Sequence, residues 1–222
     1  MVPCALTIAG SDSGGCAGIQ ADLKTFAALG VHGMSAITAV TAQDSSRVHS
    51  TEEISLQSIQ AQVRAVLDDF GADAVKTGML PSTGAIELVA ALAVEYGVEN
   101  LVVDPVMVST GGDRLIRPQA IQSFRKRLLP LAAVATPNLL EAEALTDSRI
   151  RSQRDREQAC RRFLQWGCRA VVLKGGHGTG PRSDDLFLNE SGFETFSAPR
   201  VDTKNTHGSG CTFASAIAAF LA

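Results

Sequence analysis

Apolar residues recur along this chain in two periods that alternate with each other. Short runs of small or β-branched apolar residues fall at 5–9, 35–42, 72–80, 101–107, 132–135 and 169–174, and they predict strands. Between them the spacing turns helical. Ile19, Leu23, Phe26 and Leu29 share one helix face; Ile59, Val63, Val66, Leu67 and Phe70 share another over 56–70. Further helices are predicted at 84–96, with Gly97 placed to end it, and at 121–128, 138–145 and 154–166. Residues 185–188 and 194–196 predict a short antiparallel pair turned through 189–192, and an alanine-rich helix closes the chain from Phe213 to Leu221. Strands apolar on both faces, alternating with helices, predict an α/β fold with a mainly parallel sheet covered on both sides. Ligands of such sheets collect outside the carboxyl ends of the strands. Gly10, Gln43, Gly78 with Met79, Asp104, Asn138 and Lys174 stand at six strand ends, so this topology would gather them on one edge.

Two places break the pattern. Asp22 lies three residues after Ile19 and four before Phe26, which sets a carboxylate on an apolar helix face. Burial of a carboxylate is costly without donors. A partner inside the protein, an early-turn acid favoured by the helix dipole, or a carboxylate held for a ligand would each explain it. The second place is 202–212, where a polar segment runs into Gly208-Ser209-Gly210 and then directly into the last helix. A glycine-rich turn feeding a helix directs unbonded N–H groups one way and forms an anion site. Cys211 falls in that first turn, where a thiol is expected to ionise more easily. A plain helix start with a buried Cys is the alternative.

Composition narrows the classes. With 222 residues, 45% hydrophobic and 19% charged, the chain suits one large globular domain, 1–222. A net charge of −3, one Trp and one Tyr offer neither a basic field nor a stacking platform, so no nucleic-acid or membrane partner is expected. Five scattered Cys outside any C-x-x-C pair, and no signal peptide, suit reduced thiols and a cytoplasmic location. No P-loop, no dinucleotide G-x-G-x-x-G after the first strand, no zinc motif and no G-x-S-x-G elbow is present. What remains is an anion hole at a late helix start, acids at earlier strand ends, and a potential base within the hole. These are the parts of a phosphoryl transferase that lacks a P-loop.

The motifs carry a resemblance over nearly the whole chain. Ala9-Gly10-Ser11-Asp12-Ser13-Gly14-Gly15 with 17–25, Thr38-Ala39-Val40-Thr41-Ala42-Gln43, Val75-Lys76-Thr77-Gly78-Met79-Leu80, Asp104-Pro105-Val106-Met107-Val108, Thr136-Pro137-Asn138 through Glu143, Lys174-Gly175-Gly176-His177 and 206–212 occur in order. The chain resembles the hydroxymethylpyrimidine/phosphomethylpyrimidine kinases of thiamine biosynthesis, members of the ribokinase-like superfamily. That resemblance implies a three-layer α/β/α ribokinase-like fold and ATP-dependent phosphorylation of a hydroxymethylpyrimidine and its monophosphate, with Mg²⁺. It implies an anion hole at Gly208, Ser209, Gly210 and Cys211, with Cys211 as the base. Asn138 and Glu141 would match the family's N-x-x-E motif for metal and phosphate. Asp104 would help place the metal and the γ-phosphate, and Lys174 and Thr206 would lie by the nucleotide. Gly10, Ala17, Gln43, Met79 and Val106 would hold the pyrimidine, and Asp22 would accept from its N–H groups. A homodimer is expected, as is common in the family.

Cys16 stands where the family commonly has Gly, and Asp44 where it commonly has Asn. Family members usually continue past the equivalent of Ala222 with at least one more helix, so the C-terminal helix region reads as truncated, with reduced stability or activity expected. Two other functions stay open: a pyridoxal or pyridoxine kinase, which shares the fold and a similar Cys, and a truncated non-catalytic pyrimidine-binding module.

Overall fold

A computed structural model describes residues 2–107, 120–176, 180–203 and 205–222. Val108, His177 and Lys204, which belong to the motifs above, lie outside them. One nine-stranded sheet runs through the described chain. In sequence order its strands are β1 Cys4–Asp12, β2 His32–Gln43, β3 Val48–Glu53, β4 Ala74–Thr77, β5 Leu101–Val103, β6 Val134–Ala135, β7 Ala170–Leu173, β8 Arg182–Asn189 and β9 Gly192–Pro199. In space they lie β3-β2-β1-β4-β5-β6-β7-β8-β9. The six from β2 to β7 are mutually parallel, while β3, β8 and β9 are antiparallel additions at the two edges.

Neighbouring residues of one strand point to opposite faces, and the core divides accordingly. Leu6, Val75, Leu101 and Val103 join the larger core, whereas Ala5, Ala74 and Val102 join a smaller one with Phe26, Ala214 and Ala218. The smaller core lies under α1 (Gly18–Ala28) and α7 (Ser209–Leu221). The larger lies under α2 (Leu56–Asp69), α3 (Thr83–Glu95), α4 (Ala120–Ser123), α5 (Leu139–Thr146) and α6 (Gln153–Gln165). The three layers match the expected ribokinase-like α/β/α architecture.

Three details differ from the sequence reading. Strand β3 was not expected; Val48-His49-Ser50-Thr51-Glu52-Glu53 is polar and wet, and its only structural signal is pairing to β2. The helix expected at 121–128 is one α-turn that widens to a π-turn at Phe124–Leu128 and tightens to a 3₁₀ turn at Leu129–Leu131, where Pro130 cannot donate to an α-helical ladder. Strand β6 has two residues instead of four, because the 3₁₀ turn at Leu129–Leu131 holds the Ala132 amide and the strand starts only at Val134.

Helix starts divide into two kinds. Ser55, Ser82, Asn138 and Ser152 cap α2, α3, α5 and α6 with side-chain oxygens, the last two as reciprocal capping boxes. The caps before α1 and α7 are Ala17 and Gly208, which have no side-chain acceptor to give. Gly208 has φ +82, and a Cβ there would come 1.7 Å from the Cys16 carbonyl oxygen. The turn before α7 is therefore pressed backbone to backbone against the turn before α1. Gly97, at φ +60, has open space where its Cβ would be. Gly208→Ala should therefore cost more than the about 1 kcal/mol expected of left-handed strain alone at Gly97→Ala. Paired thermal unfolding curves check this; Gly208→Ala should show the larger drop in midpoint.

Candidate active site

The carboxyl ends of β1, β2, β4, β5, β6 and β7 and the start of α7 surround one cavity of about 720 Å³, a size suited to a small ligand. Gly10, Ala17, Gln43, Met79 and Val106 line it. Asp104, Asn138, Glu141 and Lys174 line it as well, as do Thr206, Gly208, Ser209, Gly210 and Cys211. The topology thus brings together every expected site residue but one.

That one is Asp22. Its side chain is fully buried beneath the cavity and does not line it. Its oxygens accept from Thr7 Oγ1 at 2.6 Å, from Ser215 Oγ at 2.6 Å and from Lys76 Nζ at 2.9 Å to each oxygen. The expected contact to a ligand N–H is therefore wrong for this structure, and the first of the three sequence explanations, an internal partner, is the correct one. Lys76 is as buried as Asp22. Burial disfavours its charge, but Asp22, Cys211 and Asp104 outweigh that and hold its pKa above the ordinary lysine value.

At the start of α7, α-helical geometry leaves the amides of the first turn without partners inside the helix. Gly208 carries the turn and Ser209 N–H folds back to the Thr206 carbonyl at 3.1 Å. The Gly210 amide and that of Cys211 follow. Lys174 Nζ lies close enough that a Cβ on Gly210 would meet it at 3.4 Å. The same ammonium donates to Asp104 Oδ1 at 3.0 Å, and Thr136 Oγ1 donates to that oxygen at 3.1 Å. Burial opposes the charge of Lys174, but Asp104 and Glu141 raise its pKa overall. Burial also pushes the Glu141 carboxyl up, to about 7; Asp104 adds to the rise, while Lys174 and the Asn138 amide oppose it.

Cys211 corrects a second expectation. The helix start was expected to lower its pKa. The residue as a whole is half-buried where it borders the cavity, and burial pushes its thiol up to about 11 against the opposing pull of Lys76. In the protein without ligands the thiol is protonated at neutral pH.

Asp12, Lys76 and His207 line the cavity and were missed. Asp12 Oδ2 accepts from the amides of Ala17 at 2.8 Å and Cys16 at 3.1 Å, and Oδ1 accepts from Gly14 at 2.8 Å. His207 Nε2 lies 3.0 Å from Asp12 Oδ2 and 3.3 Å from Gln43 Nε2. Burial would raise the Asp12 pKa, but the Ala17 and Gly14 amides and His207 bring it below the usual carboxylate value. This one carboxylate ties the 13–17 turn to the turn before α7. An acid inside a Ser-Asp-Ser-Gly-Gly turn was the available signal, because Asp in turns accepts from amides two or more residues on.

Among the described residues no cluster of three or more His, Cys, Asp or Glu side chains is arranged to hold a metal. Asp104 and Glu141 are the two carboxylates beside Lys174 and the α7 start. Such a sparse set suits Mg²⁺, which keeps several waters and takes one or two carboxylates together with substrate phosphates. No described helix is long and apolar enough to cross a membrane.

The comparisons agree with this geometry. The chain is 50% identical over 220 residues to a hydroxymethylpyrimidine/phosphomethylpyrimidine kinase of Streptomyces coelicolor, covering 99% of this chain and 81% of that protein. The crystal structure of an ADP complex of Bacillus subtilis pyridoxal kinase superimposes with a TM-score of 0.93 at 40% identity, covering 100% of this chain and 84% of the other. A phosphomethylpyrimidine kinase structure from Clostridium difficile gives a TM-score of 0.87 at 41% identity, covering 99% and 90%. Residues 12–222 match the family described as phosphomethylpyrimidine kinase, and the chain belongs to that family.

Proposed function

We propose that this chain, as a single domain, transfers the γ-phosphoryl group of ATP to the hydroxymethyl group of 4-amino-5-hydroxymethyl-2-methylpyrimidine, and then to the resulting monophosphate, in the pyrimidine branch of thiamine biosynthesis. The observation that carries this reading is the uncapped start of α7, which faces Asp104 and Lys174 in the cavity and holds Cys211 in its first turn. Its relationship to proteins bearing that name adds the substrate.

Gly10, Ala17, Gln43, Met79 and Val106 would hold the heterocycle. A Cβ on Gly10 would meet Met79 Cε at 2.5 Å, so a larger residue there would shift the Met79 side chain that lines the same site. The amides of the Gly208–Cys211 turn would take the oxygens of the moving phosphoryl group, whose charge is spread over three oxygens in flight. Lys174 would neutralise charge on the nucleotide phosphates. Asn138 caps α5 with its side chain and so fixes Glu141, whose carboxylate accepts the Asn138 amide at 2.7 Å. Thr206 borders the same region. Asp104 and Glu141 would hold Mg²⁺, which when bound would draw charge off the phosphates.

Cys211 Sγ, as the thiolate left once its own proton has gone to solvent, would take the hydroxymethyl proton as the new oxygen–phosphorus bond forms and the bond to the departing ADP oxygen breaks. That thiolate is the minor form at neutral pH, because burial pushes the thiol up to about 11, and it takes the proton once the hydroxyl oxygen has gained a bond to phosphorus and become acidic. The cytoplasmic location expected from reduced thiols accords with five free cysteines in the described structure.

The likeness to a pyridoxal kinase structure favours one second reading, phosphorylation of pyridoxal. Steady-state assays of ATP-dependent transfer to both acceptors separate the two. The hydroxymethylpyrimidine is expected to have the higher kcat/KM by at least about tenfold; a preference for pyridoxal would overturn the substrate assignment, and turnover of neither would favour a binding module. Cys211→Ser is expected to bind the pyrimidine with unchanged affinity by calorimetry and to lose about 10²- to 10⁴-fold in kcat, the range typical of general base catalysis. Wild-type turnover in that variant would remove Cys211 from the role of base.

A further inference from the structure

The buried Asp22–Lys76 pair lies outside the cavity contacts of the proposed chemistry, yet its placement is specific. Ser215, which donates to Asp22, is one helical turn beyond Cys211, so both side chains leave α7 on the face turned to the pair. Lys76 reaches up β4 toward the cavity, and a Cβ on Gly78 would meet its Nζ at 3.0 Å. Lys76 also lines the cavity that Cys211 borders. The four contacts around Asp22 bind α1, β1, β4 and α7 at one point, one helical turn along α7 from Cys211.

We propose that Lys76, held in place by Asp22, is a positioning residue of the phosphoryl-transfer site: its ammonium is the internal cation against which the Cys211 sulfur holds and releases its proton. The proposal rests on the reading of Cys211 as proton acceptor. Thr7, Ser215 and Lys76 together engage both Asp22 oxygens, so the carboxylate's charge is absorbed locally while the ammonium stays at the cavity floor. The charged groups facing the sulfur are Lys76 from β4, Asp22 from α1, Asp104 after β5 and Lys174 after β7, with the Gly18 backbone N–H also donating toward it. Lys76 lowers the cost of a buried thiolate, and Asp22 and Asp104 raise it. Asp22 thus has two opposed effects: it keeps Lys76 charged and in place, and it repels the thiolate.

A pair with a purely structural role and one that sets the sulfur's acidity make different predictions of sign. The measurement is site-resolved alkylation of Cys211 by iodoacetamide, quantified by peptide mass spectrometry between pH 7 and 11, on the full chain without nucleotide or metal. Only the thiolate reacts, so below its pKa a shift of one unit changes the rate about tenfold. Lys76→Met should slow alkylation at pH 9 by about tenfold or more. Adding Asp22→Asn to Lys76→Met, where no ammonium is left to lose, removes the opposing carboxylate and should accelerate it by about tenfold relative to Lys76→Met alone. Shifts in the same direction, or no shift in either variant with far-UV circular dichroism intact, would overturn the proposal. If either charge variant does not fold, Ser215→Ala decides: it removes one donor from Asp22, leaves its charge less neutralised, and should slow Cys211 alkylation severalfold. An unchanged rate there would overturn the proposal equally. Because alkylation does not depend on turnover, a failed base assignment, seen as undiminished activity in Cys211→Ser, stays distinguishable from a failed role for Lys76.

Discussion

The ion pair between Asp22 and Lys76 is the constraint on which the site depends. Neither side chain reaches solvent, and both Asp22 oxygens are engaged. A buried pair adds little net stability over a well-packed apolar substitute, but losing one partner strands a charge at a cost of about 3–5 kcal/mol. Its value here is positional. α7 meets the sheet through small residues, Ala214, Ala218 and Ala219, which allow close approach but offer little to fix its height or rotation. The Ser215 hydroxyl on Asp22 supplies that fix. The rotation it sets also turns Cys211 toward the cavity.

A second carboxylate does the same work at the other end of the turn. Asp12 gathers the Gly14, Cys16 and Ala17 amides and His207, while Gly208 lets the two turns touch through backbone alone. The site is then defined by where donors are left over. Four helices close their first turns with Ser or Asn side chains, and α7, which has only a glycine before it, spends the Ser209 amide on Thr206 and leaves those of Gly210 and Cys211 for a ligand. A charged phosphoryl group is the ligand for which such amides, beside Lys174, are suited.

Much of this was legible in the sequence because the layers impose periods. Apolar strands and amphipathic helices reported the three-layer fold, and strand ends reported the cavity, since a parallel sheet converts six separate sequence positions into one edge. What was not legible depends on contacts between distant segments. Strand β3 is polar throughout and is a strand only by pairing with β2. Asp22 showed itself as an acid on an apolar face, but its donors come from Thr7, Lys76 and Ser215, and nothing local to residue 22 distinguishes them from a ligand. Cys211 shows the same limit from the other side. Its place at a helix start argues for an acidic thiol, yet packing around the sulfur reverses the sign. Local position gives the dipole, whereas tertiary burial gives the desolvation, and here burial is the larger effect.

The central claim is that the start of α7 is where a phosphoryl group passes from nucleotide to a hydroxymethyl oxygen held against Cys211. A crystal structure of the chain with ADP, Mg²⁺, an aluminium fluoride mimic of the moving phosphoryl group and 4-amino-5-hydroxymethyl-2-methylpyrimidine tests it most directly. The account predicts the mimic on the amides of the Gly208–Cys211 turn, with the hydroxymethyl oxygen within hydrogen-bond reach of Cys211 Sγ and the ring between Gln43 and Met79. A mimic bound away from that turn, or a hydroxymethyl group pointing away from Cys211, would contradict it.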